Sequence, residues 1–182
     1  MVFAAPVGAI IAHGRAIAHG CAADVSGVRD IVVATGNPHK VEEIRAILAP
    51  LGVVLRGLDE VGGPFPEPEE TGRTFEANAR IKAVAYAKAT GRVVLADDSG
   101  LEVDALGGEP GIRSARFAGE GATDEDRYRK VLSLMEDIPE GRRRARFRCA
   151  AAFAAPEGDE LLAEGVCEGR IAREAAGTGG FG

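Results

Sequence analysis

Apolar positions fall into continuous runs and helical stripes, and their alternation sets out the elements. Residues 31–35, IVVAT, form an apolar run closed by a turn signal, the pattern of a strand buried on both faces. After GNPHK, Val41, Ile44, Ile47 and Leu48 recur at helical spacing until Gly52 stops the helix. Residues 53–58 predict a second strand. Strand, loop, helix and strand open an α/β unit, whose ligand position is the loop at the strand's C-terminal end. Residues 59–72 are rich in Pro, Gly and Glu and predict a loop. Thr74 can cap a helix that stripes Phe75, Ala79, Ala83 and Ala87 and closes at Gly91. A third buried strand, 93–97, runs into Asp98-Ser99-Gly100. A helix over 124–135 is entered by Thr123 with Asp126 behind it, and a long hairpin turns at 156–159. The expected fold class is α/β: a mixed central sheet with flanking helices and a long antiparallel hairpin.

Composition narrows the function classes. With 182 residues, 46% of them apolar and 27% charged, the chain suits one soluble domain without an internal linker and excludes disordered or collagen-like classes. Its 22 Lys and Arg against 28 Asp and Glu give a net charge of −6, which argues against nucleic acid as the main partner. The odd set Cys21, Cys149 and Cys167 lacks metal-ligand spacing and suits buried thiols in a reducing, cytoplasmic compartment. No apolar stretch approaches the ~20 residues that span a bilayer, so no membrane partner is expected. Residues 1–29 have an early apolar run with no positive charge before it, and read as a floppy or artefactual extension.

Three elements carry candidate chemistry. Thr35-Gly36-Asn37-Pro38-His39-Lys40 lies where a strand ends and a helix opens, with free backbone N–H groups, a close-approach glycine and a lysine, the makings of an anion site. A plain turn with a solvated lysine is the bland alternative. Asp97 and Asp98 end an apolar strand, and adjacent carboxylates there are costly to bury without a cation. Their side chains point to opposite faces, so one looks into a given cleft, where it could hold Mg2+ or deprotonate water. The alternative is that Asp98-Ser99-Gly100 is only a polar turn. Third, Glu67, Glu69 and Glu70 repel one another unless cations sit nearby, while Asn78 and Lys82, four apart on the next helix, could both point at a phosphate. A solvated acidic loop is the alternative there.

Read in order, TGNPHK, EETGRTFEANARIKA, ADDSGLEVDALGGEPGIRSARFAGEGATD, RRRARFRCAAAF and CEGRIAREAAGTGGFG closely resemble the inosine/xanthosine triphosphate pyrophosphatase family, over about residues 31–182. The resemblance implies Mg2+-dependent cleavage of ITP, dITP or XTP between the α- and β-phosphates, a homodimer, and two lobes around a cleft. By position, 35–40 matches the triphosphate loop, Asp98 the proton acceptor and Mg2+ ligand, and Ser99 a substrate contact. Glu70 matches a metal-holding glutamate, and Phe181 and Gly182 the start of the nucleoside-contacting segment. Asp97, Asn78 and Lys82 are implied as supporting or phosphate groups.

The family continues past GGFG with a Tyr-Asp pair, a lysine and a Ser-His-Arg motif, so a pyrophosphatase domain over 30–182 is expected to be C-terminally truncated. The alternative function is a nucleotide-binding remnant with impaired catalysis. Arg142, Arg143, Arg144, Arg146 and Arg148 form the basic cluster, read as a solvated or dimer-facing row rather than a nucleic-acid site.

Overall fold

A computed structural model describes residues 15–17, 30–35, 38–158 and 160–175. Strands β1 (Arg15–Ile17), β2 (Asp30–Val33), β3 (Val54–Gly57), β4 (Val94–Val103), β5 (Arg144–Ala154) and β6 (Glu160–Arg170) form one sheet in the order β1-β6-β5-β4-β2-β3. Helices α1 (Pro38–Leu48), α2 (Phe75–Thr90) and α3 (Asp124–Leu134) complete the regular elements. The sheet is mixed, as the sequence predicts. β2 runs parallel to β3 from Asp30 opposite Val54 to Val33 opposite Gly57, and parallel to β4 at Val94 and Leu95. β1 is antiparallel to β6. Its three residues lie inside the stretch read as a floppy extension, so that reading does not describe them; the rest of 1–29 lies outside the described residues.

Helix boundaries follow local chemistry. Thr74 accepts from the Ala77 N–H at 3.2 Å to start α2, and Gly91 ends it in the left-handed conformation that glycine adopts without a Cβ penalty. A reciprocal capping box between Thr123 and Asp126 starts α3.

The chain divides into two compact units, and the divisions fall inside β4, β5 and β6 rather than at linkers. The first takes in described residues of Val7–Asp98 and Cys149–Gly165. Its core gathers Ile31, Val33, Val41, Ile44, Leu55, Leu95 and Ala151, so α1 lays its apolar stripe on the parallel strands. The second takes in described residues of Ser99–Arg148 and Val166–Gly182, around Leu101, Val103, Phe117, Val131, Met135, Ala145 and Ile171. Buried Arg143 lies in this second unit. Its guanidinium donates to the carbonyls of Ile171 (2.9 Å), Ala172 (2.7 Å), Ile138 (3.2 Å) and Met135. Among the described residues no helix is long and apolar enough to cross a membrane.

Candidate active site

Sequence punctuation suggested that β4 stops before Asp98-Ser99-Gly100; instead the strand runs on to Val103. A turn is therefore not the role of these residues. Sheet pairing overrides turn propensity, since polar and glycine residues are held in a strand whose neighbour β5 continues alongside. β2 is shorter: it ends at Val33, and the Ala34 N–H beyond it donates to the Leu95 carbonyl at 2.8 Å. Asp97 and Asp98 thus sit on β4 beyond Val94 and Leu95, the residues in register with β2. Strand alternation sends the two carboxylates to different helices.

Asp97 is buried, and its Oδ2 accepts from the Lys40 ammonium of α1 at 2.7 Å. Burial alone would lower the Lys40 pKa; attraction and hydrogen bonding to Asp97 outweigh it, and the net direction is upward. Lys40 therefore stays charged through the neutral range, with 27% of its side chain still reaching solvent.

Asp98 faces α2. Its Oδ2 accepts from the Asn78 amide at 3.1 Å, and its Oδ1 lies 3.7 Å from the Lys82 ammonium. The same ammonium is 2.9 Å from Glu70 Oε1, so one lysine serves two carboxylates from different segments. Burial raises the Asp98 pKa; Lys82 and Asn78 oppose that, and Glu70 and Asp97 reinforce it. A carboxylate held in this balance is a better proton acceptor than one in water. Beneath the cluster lies buried Cys149, its thiol pushed up to about 12 by burial and by the neighbouring Asp97.

The structure thus gathers Lys40, Glu70, Asn78, Lys82, Asp97 and Asp98 in the first unit, from three elements and one loop. Thr35 lies where β2 gives way to α1 and lines a hollow of about 470 Å³ with Val41, Glu42, Arg45, Gly57, Leu58, Asp59 and Glu60. The backbones of Pro38 and His39 open α1. Ser99 follows Asp98 on β4. Gly36, Asn37, Phe181 and Gly182 lie outside the described residues. Asn78 departs from its expected reach toward phosphate: it is 1% exposed, and its amide is engaged at both ends, by the Gly72 N–H (2.8 Å) and by Asp98. Sequence reading gave Gly72 no role. Its only signal was a glycine between an acidic loop and a cap.

Among the described residues no group of three or more His, Cys, Asp or Glu side chains is placed to hold a metal. Glu70 and Asp98 offer hard oxygen donors on either side of Lys82. An ion that takes one or two carboxylates and completes its shell with water and phosphate oxygens fits such a set, whereas one needing an all-protein cage does not. Two members of the arginine row, Arg146 and Arg148, are paired with carboxylates. Arg146 pairs with Asp104 (2.7 Å), Glu168 (3.1 Å) and Glu102 (3.5 Å), and Arg148 with Glu102 (3.7 Å).

Parallel strands joined by a helix, within a mixed sheet flanked by helices, define an α/β protein, and the lysines and carboxylates gather beside the shorter strand β2. The family model described as the Ham1 family matches residues 31–182, and the chain belongs to that family. It is 53% identical over 152 residues to the dITP/XTP pyrophosphatase of Desulforamulus reducens, covering 84% of this chain and 75% of the relative. It is 49% identical over 156 residues to the dITP/XTP pyrophosphatase of Bacillus subtilis, covering 85% and 78%. Among solved structures, a HAM1 protein from Coxiella burnetii superposes with a TM-score of 0.75 at 42% identity, covering 84% of this chain and 78% of that one. The Staphylococcus aureus Ham1 protein gives 0.73 at 41% identity, covering 84% and 77%.

Proposed function

We propose that this chain hydrolyses non-standard purine nucleoside triphosphates, dITP, ITP and XTP, to the monophosphate and pyrophosphate. The single observation that carries the reading is the charge arrangement midway along β4, where a half-buried carboxylate, Asp98, shares one cluster with two ammonium groups. The names of the relatives support the substrate class.

In this reading Lys40, at the opening of α1, meets the phosphate tail together with backbone N–H groups of the stretch 35–40, Pro38 apart. Asp98 takes the proton as a water oxygen attacks the α-phosphorus. The bond from that phosphorus to the oxygen bridging to the β-phosphate breaks, and pyrophosphate leaves. Asp98 and Glu70 would hold a divalent ion, Mg2+, which when bound neutralises phosphate charge and orients the tail. Lys82, already shared between those two carboxylates, limits their mutual repulsion. Ser99 is assigned to the substrate, with Phe181 and Gly182 toward the nucleoside. Action in the cytoplasm as a homodimer belongs to the same proposal, and light scattering reads the oligomeric state.

The test is product analysis with dITP, XTP, dGTP and ATP, with Mg2+ and with EDTA. Pyrophosphate released from dITP and XTP, lost in EDTA, is the expected result. Orthophosphate as first product, or equal rates on ATP, overturns the reading.

A further inference from the structure

The amide of Asn78 is spent on two segments that the chain supplies separately. Its Oδ1 accepts from the backbone N–H of Gly72, in the loop carrying Glu70. With the oxygen turned that way, the NH2 group must face β4, and it donates to Asp98 Oδ2. Burial removes water as an alternative partner for either end. Gly72 makes the contact possible. A Cβ there would lie 2.4 Å from Asn78 Oδ1, 2.8 Å from Ala77 Cβ and 2.9 Å from the Asn78 nitrogen, all closer than real Cβ contacts. All three atoms belong to residues of α2, and two of them, the Ala77 Cβ and the Asn78 nitrogen, are fixed to its backbone and cannot swing aside like the tip of a long side chain.

We propose that Asn78 is a positioning residue: a buried amide, seated against Gly72, that fixes the loop bearing Glu70 relative to the strand bearing Asp98. The inference rests on the reading of those two carboxylates as metal-holding and proton-accepting groups. Its content is that a single side chain sets their spacing, and that its two ends do separable work. The oxygen end docks the loop and so governs metal affinity. The nitrogen end orients the Asp98 carboxylate and so governs turnover. Outer partners of metal ligands carry effects of this kind, about 10- to 100-fold in affinity or activity.

Two substitutions in the full chain separate the ends. Asn78→Asp keeps an acceptor for Gly72 but turns a carboxylate oxygen toward Asp98. It is expected to lower kcat on dITP at least about tenfold, with KM changed less than about threefold and no recovery at high Mg2+. Gly72→Ala pushes the loop away and leaves the donor to Asp98. It is expected to weaken Mn2+ binding to the nucleotide-free protein, by calorimetry, about tenfold, with kcat recovering at saturating Mg2+. Circular dichroism establishes that each variant is folded; Asn78→Ser replaces Asn78→Asp if the latter is not. Asp98→Asn is run alongside. Full activity in Asp98→Asn overturns the catalytic reading itself. With Asp98→Asn inactive, an unchanged kcat in Asn78→Asp or unchanged Mn2+ affinity in folded Gly72→Ala overturns the positioning role. Parallel loss of stability and activity in both variants, with metal affinity per folded molecule intact, also overturns it.

Discussion

Each unit withdraws a cation from water, and the two do it differently. Arg143, in the second unit, is 1% exposed and gives its N–H groups to backbone carbonyls; among the described residues no carboxylate is a hydrogen-bond partner. Lys40, in the first, meets the carboxylate of Asp97 and keeps a quarter of its side chain in solvent. Carbonyls saturate a guanidinium with geometry and leave its net charge in place, so that arrangement fastens chain segments and offers nothing to an incoming anion. The Asp97 carboxylate offsets the ammonium's charge as well as accepting its hydrogen bond, and an anion with more charge can compete for that ammonium. The first arrangement serves folding; the second can serve exchange.

The sharpest way to break that contrast is at Arg143. Arg143→Met leaves several buried carbonyls without donors and is expected to cost about 3 kcal/mol. Thermal denaturation should show a fall in Tm of roughly 6 to 12 °C, with no single second substitution restoring it. Lys40→Met is next. It strands the buried Asp97 carboxylate and should cost about 1–2 kcal/mol, the smaller figure reflecting the partial exposure of Lys40. Here a second change does help: adding Asp97→Asn should restore most of the Tm while nucleotide affinity stays weak. Restoration of affinity along with stability would erase the distinction.

A smaller effect has the opposite sign. The folded-state pKa of Asp98 lies above its unfolded value. The folded protein therefore binds more protons across that interval, and stability falls as pH rises from the unfolded pKa through the folded one. Asp98→Asn should accordingly raise the Tm slightly at pH 7 in the metal-free protein, with the gain vanishing below about pH 4. A gain that grows on acidification would reverse the sign. Smallest of all, the Cys149 thiol, pushed up to about 12 and buried, should stay unreactive toward a thiol reagent at pH 8 until the protein unfolds. Labelling of the folded protein at that position contradicts this.

Much of the fold was legible because it is written in local periods. The apolar stripes of α1 and α2, the caps at Thr74 and Thr123 and the hairpin of β5 and β6 depend on neighbours in sequence. Asp98 was singled out because carboxylates ending an apolar run conflict with burial. What remained illegible depends on partners far along the chain. The strand continuing through Asp98-Ser99-Gly100 is decided by β5, some 45 residues later. Arg143 looked like any member of its arginine cluster, because nothing nearby shows that the carbonyls of residues 135, 138, 171 and 172 converge on it. Asn78 and Lys82 share a helix face, yet one is buried on Gly72 and Asp98 while the other reaches Glu70; spacing places them together and does not divide their work.

The short strand β1 has a consequence of another kind. It pairs Arg15, Ala16 and Ile17 with Glu164, Ala163 and Leu162 and so covers part of the flank of β6 that no other described strand pairs with. Uncapped sheet flanks recruit strands from other molecules. Trimming the chain to begin at residue 30 would bare that stretch of β6, and the shortened protein should clump at concentrations where the longer one stays dispersed.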